Sequence, residues 1–328
     1  MVGPLVTIAI PTYNRADKFL KKTLERAVNQ TYKNIEILVS DNCSTDHTPD
    51  IIESFSDIRI KFFRQKENLG AFGNWNFLLK EAKGDYFHMY HDDDAIDPDF
   101  IETCVKGAGF RKNLALIMTG SRVIDGNDKV LRENRNMMDG SPVEDLILNW
   151  YRGNVNVFFC STLFGTEILK NTGGFEDKYN HYIDVAAQFK CMSAGKRVDV
   201  PDVKASFRKH EGSISSVAKI KDWCEDSTEL LNLCISIASS NKIEIKKEGL
   251  QRSAKNMYMY SSSAENKKQR LKAFWTVYKY FDYKYLLPLK YCNELIPFSG
   301  YLLHPYKAMS TLKKTLSGKF GRKQVVIE

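Results

Sequence analysis

Three consecutive aspartates, Asp92-Asp93-Asp94, are the densest concentration of reactive side chains in this chain of 328 residues. At the mouth of a buried strand three carboxylates repel one another, and a divalent cation among them removes that cost. A hard cation held by one or two carboxylates plus substrate phosphates is a magnesium or manganese arrangement. It would neutralise charge on a departing diphosphate, which is Lewis-acid catalysis at the leaving group. A solvated acidic turn capping a helix at Pro98 would use the same residues without an ion. Three further segments carry residue types suited to a nucleotide. Pro11-Thr12-Tyr13-Asn14-Arg15 offers an aromatic face, Asp41-Asn42-Cys43-Ser44-Thr45-Asp46 offers acceptors for a base, and Glu67-Asn68-Leu69-Gly70 offers Gly/Asn backbone for phosphates.

Each of these segments follows a short apolar run. Val6–Ile10, Ile35–Val39, Ile58–Phe63 and Tyr86–Tyr90 read as buried strands, and Leu114–Thr119 as a fifth. Helical spacing intervenes over Asp17–Asn29 (with Asp17 as cap), Thr48–Phe55, Ala71–Ala82 and Pro98–Gly107. Such alternation predicts an α/β fold, a mainly parallel sheet with helices on both faces. In an open parallel sheet ligands bind beyond the carboxyl ends of the strands, where all four segments would gather. Further on, Arg122–Leu131 with Asp125-Gly126 predicts a hairpin, Val143–Trp150 a helix, Val157–Phe164 a buried strand and Tyr182–Met192 a helix closed by Gly195. From Lys219 onward the pattern is helical and more aromatic.

The 43% apolar fraction excludes general disorder. Seven cysteines, odd in number and widely scattered, fit neither a zinc site nor a disulfide framework and read as reduced. Met1–Ile10 lacks a basic leader, and no stretch reaches the ~18 apolar residues of a spanning helix. The expected location is the cytoplasm, free or peripheral at the inner face of the cell membrane. Residues 242–323 hold eighteen Lys/Arg against five Asp/Glu, a net of +13 in a chain of net +8, so the remainder carries −5. That asymmetry suits a polyanion or an anionic membrane surface, or simply a solvated helical face.

The ordered set of motifs resembles the family 2 inverting glycosyltransferases of the GT-A fold. The matching stretches are Val6–Arg15, Gln30–Asp46, Asn68-Leu69-Gly70, the aspartate run, Gly173-Gly174-Phe175-Glu176-Asp177, Asp184, and Arg208–Ser215. The resemblance covers roughly residues 5–216. It implies a catalytic domain over 1–216, with a nucleotide-binding half (1–120) and an acceptor and base half (121–216), and a basic, aromatic-rich helical region over 217–328. It also implies transfer of a sugar from a nucleotide-sugar donor to a glycan or lipid-linked glycan.

By this resemblance Pro11, Thr12, Tyr13 and Arg15 line the nucleotide site, and Tyr13 stacks on the base for roughly 1–3 kcal/mol. Asp41 accepts from the base, which favours uracil and a UDP-sugar, and Asn68 approaches the phosphates. Asp92 holds the ribose or a metal water; Asp93 and Asp94 are the candidates for direct contact with Mn2+ or Mg2+. The family's commonest form has a small residue between two aspartates, whereas here His91 precedes an unbroken run. Asp184 is the implied general base for a single in-line displacement, although its usual acidic neighbour is Ile183. As a helix N-terminal residue it could instead offset the macrodipole. Arg208 would pair with the diphosphate, and His210 would ligate metal or phosphate, with Ser213 and Ser215 near. Gly173-Gly174-Phe175 would form an aromatic wall near the acceptor, or the cap of a Thr166–Asn171 helix. Helical spacing assigns Trp75 to ordinary core packing.

Phe274, Trp275, Tyr278, Phe281 and Tyr285 recur at helical spacing among lysines, which suits a membrane interface or packing on protein, as in a homo-oligomer. Two other readings compete on the same fold. A nucleotidyltransferase needs a glycine-rich loop after the first strand, and this chain has none there. An inactive glycan- or polyanion-binding relative would tolerate the loss of acidity beside Asp184. No nucleic-acid-binding module is recognisable.

Overall fold

A computed structural model describes residues 3–16, 19–209, 219–262, 264, 266–282 and 284–285. The expected cap Asp17, the ligand candidate His210, and Ser213 and Ser215 lie outside these residues, as does the basic sequence beyond Tyr285. The chain divides into two compact units, 1–216 with 229–245 and 217–228 with 246–328.

The first unit is built on one nine-stranded sheet. Its first half consists of β1 (Val6–Thr12), β2 (Ile35–Asp41), β3 (Ile60–Arg64) and β4 (Tyr86–Met89), parallel in the order β3-β2-β1-β4. β1 and β2 are buried along their whole length, as expected where both sheet faces are covered. The cover comes from α1 (Leu20–Val28), α2 (Thr48–Glu53), α3 (Gly70–Glu81) and α4 (Phe100–Gly107). α1 turns Leu20, Thr23, Leu24 and Ala27 inward, the spacing of one helical face. Register pairs Thr12 with Asp41, so the loops after β1 and β2 emerge side by side.

The second half is mixed. It contains β5 (Ala95–Ile96), β6 (Leu116–Ile124), β7 (Val130–Asn134), β8 (Thr162–Gly165) and β9 (Arg197–Arg208). The sheet continues β4-β8-β6-β9-β5, with β7 on the free part of β6. The expected α/β class with a parallel sheet and flanking helices is therefore present, extended by antiparallel strands. The expected hairpin is β6–β7, whose turn is held by Asp125 Oδ1 accepting from Asn127 N at 2.8 Å and Lys129 N at 3.0 Å.

Two differences from the sequence reading have local causes. Residues 157–164 are not one strand: Phe159–Ser161 forms a 3₁₀ turn before β8. The hydroxyls of Ser161 and Thr162 donate back to Phe158 O at 3.2 and 2.9 Å, closing the turn against extension. β9 went unread because Pro201 interrupts it. In the sheet Thr119 pairs with Val200 and Gly120 with Val203, so Pro201 and Asp202 sit in a bulge. A residue without an N–H costs the ladder nothing there.

The remaining helices of this unit are α5 (Val143–Arg152), α6 (Thr166–Asn171) and α7 (Ile183–Ala194). α8 (Ile220–Ile237) gives its second half to the unit. Beyond its end Glu144 accepts from Ser239 N at 2.6 Å and from the Ser239 hydroxyl at 2.5 Å.

The second unit contains α9 (Lys242–Ser262) from residue 246 onward and α10 (Lys267–Tyr280). Asn266 caps α10, its Oδ1 accepting from Gln269 N at 2.9 Å. Phe274, Val277 and Phe281 are buried, as are Met257 and Tyr258, so two of the five stripe aromatics are spent on packing. Lys267, Lys268, Lys272 and Lys279 remain exposed. Among the described residues no helix is long and apolar enough to cross a membrane.

Candidate active site

The loops after β1 and β2 are laced to each other by hydrogen bonds. Asn14 adopts φ 52°, a left-handed conformation that asparagine tolerates better than most residues. That turn lets its Oδ1 accept from Thr45 N at 2.9 Å, while its own N–H donates to Ser44 Oγ at 2.8 Å. Arg15 N donates to Thr48 Oγ1 at 2.8 Å. Asn42 joins the third loop, donating to Asn68 Oδ1 at 2.9 Å and accepting from Leu69 N at 2.8 Å. Pro11, Thr12, Arg15, Asp41 and Asn68 thus belong to one lattice, with Tyr13 left 44% exposed at its rim.

Asp41, expected at the base, is fully buried in this lattice. Its carboxylate accepts from Ser44 N at 3.1 Å and from the Ser44 hydroxyl, and Arg64 Nε lies 3.7 Å away. Its visible work is to fold the 42–46 turn.

β4 delivers His91-Asp92-Asp93-Asp94 against the same edge, and each aspartate has its own surroundings. Asp92 accepts from Thr12 Oγ1 at 2.6 Å and faces Arg15 Nε at 3.5 Å. Asp93 faces Arg15 Nη2 at 3.6 Å. Asp94 accepts from Arg208 N at 2.9 Å and lies 3.9 Å from His91 Nδ1. Burial, and then the neighbouring Asp93 charge, push Asp92 up to about 7 against the pull of Arg15 and Thr12. The same causes hold Asp94 well above the ordinary carboxylate range. Burial and mutual repulsion thus disfavour the charged forms of Asp92 and Asp94, a cost that a divalent cation relieves.

Arg208, expected on the diphosphate, is turned inward and almost completely buried. Its guanidinium donates to Asp93 O at 2.6 Å and Asp125 O at 2.9 Å, meets Asp128 Oδ1 at 2.5 Å, and stacks 4.6 Å above the Phe19 ring. With every arm engaged, it braces the aspartate run from behind.

His91, placed by the sequence reading only as the residue before the aspartate run, was given no role there. Its imidazole, Asp93 and Asp94 place one ligand atom each within 4.8 Å of one another. The ring is tilted on Trp75 at 5.0 Å and meets Phe159 edge to face at 5.5 Å. Burial holds its pKa below the usual histidine value, so the ring is neutral near pH ~7. The signal was adjacency, a nitrogen ligand immediately before the carboxylates. Trp75, read as core, does pack in the core but does so against this ring.

Asp184 occupies the first turn of α7, its Oδ1 accepting from Val185 N at 2.8 Å. Burial pushes it up to about 7. Cys160 lies on the 3₁₀ turn that precedes β8. The buried thiol is raised first by desolvation, and also by the charges of Asp94, Asp184 and Asp93.

Beside the cluster an open groove of about 470 Å³ is lined by Phe72, Gly73, Asn76, Phe175, Glu176, Asp177 and Lys178. The Gly173-Gly174 pair caps α6, with N–H groups donating to Lys170 O at 3.1 Å and Leu169 O at 2.9 Å. Gly174 has φ +63°, and a Cβ there would meet Asn76 Oδ1 at 2.7 Å. Asn76 needs that space, because it clamps Phe175 N and O at 3.0 and 2.9 Å. The Phe175 ring, expected as a wall, is buried against Trp75 and Phe159, and Phe72 lines the groove together with Phe175.

Residues 7–172 match the family model for glycosyl transferase family 2. An Escherichia coli UDP-Glc:alpha-D-GlcNAc-diphosphoundecaprenol beta-1,3-glucosyltransferase is 31% identical over 237 residues, covering 70% of this chain and 87% of that protein. Five other curated relatives extend well past the match, which spans 15% to 60% of their own lengths. Among solved structures, S. aureus TarS 1-349 in complex with UDP-GlcNAc superposes with a TM-score of 0.66 at 17% identity, covering 96% of this chain and 91% of that one. The mannosyltransferase PcManGT from Pyrobaculum calidifontis, in complex with GDP-Man and Mn2+, gives 0.52 at 16% identity, covering 96% and 85%. These likenesses carry the GT-A fold.

Proposed function

The chain belongs to glycosyl transferase family 2, and from that premise we propose that it moves a sugar from a nucleoside-diphosphate sugar, UDP-linked by preference, onto a hydroxyl of a glycan or lipid-linked glycan. The observation that carries the reading is the cluster of His91, Asp93 and Asp94, one ligand atom of each lying within 4.8 Å of the others. It offers a place for a cation at the sheet edge where the three strand-end loops meet. The Escherichia coli relative, named for transfer from UDP-Glc to a diphosphoundecaprenol-linked sugar, supports both substrate classes.

The donor nucleotide lies along the lattice of the three strand-end loops, with Tyr13 stacked on its base. Thr12 and Arg15 hold the Asp92 and Asp93 carboxylates in place. The carboxylates of Asp93 and Asp94 fit a divalent cation, manganese or magnesium, which when bound supplies Lewis-acid neutralisation of the leaving diphosphate. Asp184 acts on the other side. Its carboxylate takes the proton from the acceptor hydroxyl as that oxygen bonds to the anomeric carbon and the bond to the phosphate oxygen breaks. A carboxylate with a pKa of about 7 is a competent base at neutral pH. No covalent sugar intermediate forms, so the anomeric centre inverts. The exposed lysines of the second unit bring the enzyme to an anionic surface by charge, not by inserting the buried Phe274 and Phe281.

Proton NMR of the product tests the chemistry. An α-linked donor is expected to give a β-linked product; a retained configuration would overturn Asp184 as the base of a single displacement.

A further inference from the structure

Asp41 is the expected reader of the nucleotide base, and its burial leaves that task to another side chain. Its Oδ1 accepts from Ser44 N and from the Ser44 hydroxyl; its Oδ2 accepts from Ser44 N at 3.3 Å and faces Arg64 Nε at 3.7 Å. None of the Asp41 side chain is exposed, whereas 60% of the Arg64 side chain is. Register lines up Thr12, Asp41 and Arg64 across β1, β2 and β3, and in-register residues of parallel strands share one face. Thr12 starts this row at Asp92, and Arg64 ends it. At ~4.8 Å per strand, Arg64 stands roughly 10 Å from Thr12 along the sheet edge, comparable to the reach from a diphosphate to the far side of its base. Arg64 Nη2 donates to Ser44 O at 3.4 Å, and Asn14 N, next to Tyr13, donates to Ser44 Oγ at 2.8 Å. The guanidinium and the loop of the stacking residue therefore meet at one serine. Among the described residues Arg64 Nη1 makes no hydrogen bond. A guanidinium can only donate. In a pyrimidine nucleotide the 4-substituent lies opposite the ribose-bearing nitrogen, furthest from the phosphates. Uracil and thymine present a carbonyl oxygen there, and cytosine an amino group that donates.

We propose that Arg64 sets the base preference of the donor site: its Nη1 donates to the 4-carbonyl oxygen of a uracil-type base stacked on Tyr13, and it rejects cytosine. Asp41 acts from beneath, holding the guanidinium and the 42–46 turn rather than touching the base. This assignment rests on the nucleotide-sugar reading above and names the residue that discriminates among nucleotides.

The test is calorimetry on the full chain with manganese present, using UDP, CDP, 4-thio-UDP and 2-thio-UDP as ligands. Wild type is expected to bind UDP about 10–100-fold more tightly than CDP, the scale of one good base contact. Sulfur is a weak acceptor, so 4-thio-UDP is expected to bind about 5–10-fold more weakly than UDP, and 2-thio-UDP within about twofold of it. This arm needs no variant to fold. In Arg64→Met the ratio of UDP to CDP affinity is expected to fall to within about threefold. If UDP and CDP both weaken in Arg64→Met and their ratio holds, Arg64 serves the phosphates or the turn; the proposal then fails and the nucleotide-sugar reading stands. A ratio that collapses in Asp41→Asn but survives in Arg64→Met also overturns it. So does a wild type that binds UDP and CDP alike, or that loses affinity for 2-thio-UDP and not for 4-thio-UDP. Failure of wild type to bind any of the nucleotides overturns both.

Discussion

Replacing Asp184 by asparagine should abolish transfer and, above neutral pH, stabilise the protein. The substitution keeps the shape and the hydrogen bond from Val185 N, since an amide Oδ1 accepts it as the carboxylate does. What it removes is a charge that folding disfavours. Burial raises this carboxyl from 3.8 to about 7. At about 1.4 kcal/mol per pH unit the rise amounts to roughly 4 kcal/mol. The side chain retains some exposure, and screening by solvent brings the expected value to ~2 kcal/mol. The sign depends on which state holds the proton. Below about pH 4 the folded and unfolded chains are both protonated, and the residue costs nothing. As pH rises towards about 7, the unfolded chain releases its proton while the folded chain keeps it, so stability falls; above that the loss is complete. Thermal melts of Asp184→Asn against wild type should therefore coincide near pH ~3.5 and separate by roughly 3–6 °C in favour of the variant near pH ~8.5. The same variant should lose about 10²–10⁴-fold in kcat, and wild-type kcat/KM should rise with pH to a plateau above about 7. A variant that is less stable at both pH values, or that keeps kcat within about threefold, would refute the assignment.

Arg208→Ala should cost about 1–3 kcal/mol, because it leaves the carbonyl oxygens of Asp93 and Asp125 without their guanidinium donor and removes one of the two cations that face Asp128; denaturant titration reads the loss. A purely diphosphate-binding arginine would instead leave stability unchanged and raise donor KM. Thr12→Val deletes the 2.6 Å bond to Asp92 and should weaken donor binding by about tenfold while leaving Tm within a few degrees, measured by calorimetry with UDP. Gly174→Ala places a Cβ 2.7 Å from Asn76 Oδ1 at φ +63°, and should lower stability by about 1–3 kcal/mol in the same titration. Tyr13→Ala should weaken nucleotide binding by about 10–100-fold, with an unchanged melting temperature of the free protein.

The parallel half of the sheet was legible because each of its strands is a compact apolar run closed by a polar loop, as Val6–Ile10 closed by Pro11 shows. The same pattern marked the loop residues, since topology alone places the loop at the carboxyl end of each strand in an open sheet. β9 was hidden by Pro201, whose penalty vanishes only in a bulge that a tertiary partner, β6, defines. Residues 157–164 carry an apolar composition that strand and turn share, and two hydroxyls decided for the turn. Within the site, sequence named residue types but not the direction in which they point. Arg208 faces inward because Phe19 and Asp128 lie in other parts of the chain, and Asp41 because it closes the turn to Ser44 beneath Arg64. His91 was adjacent to the aspartates all along; only the tertiary approach of Trp75 and Phe159 fixes its ring.

The most direct test of the transferase assignment is a thermal-shift panel of UDP-, dTDP- and GDP-sugars, each with and without manganese, on wild type and Asp93→Ala. Ligand at about 100 times its Kd adds about 2.7 kcal/mol of stability. The expected result is stabilisation by one nucleotide class, UDP first, that needs the cation and is lost in the variant. A folded wild type that no nucleotide sugar stabilises, with or without manganese, would contradict it.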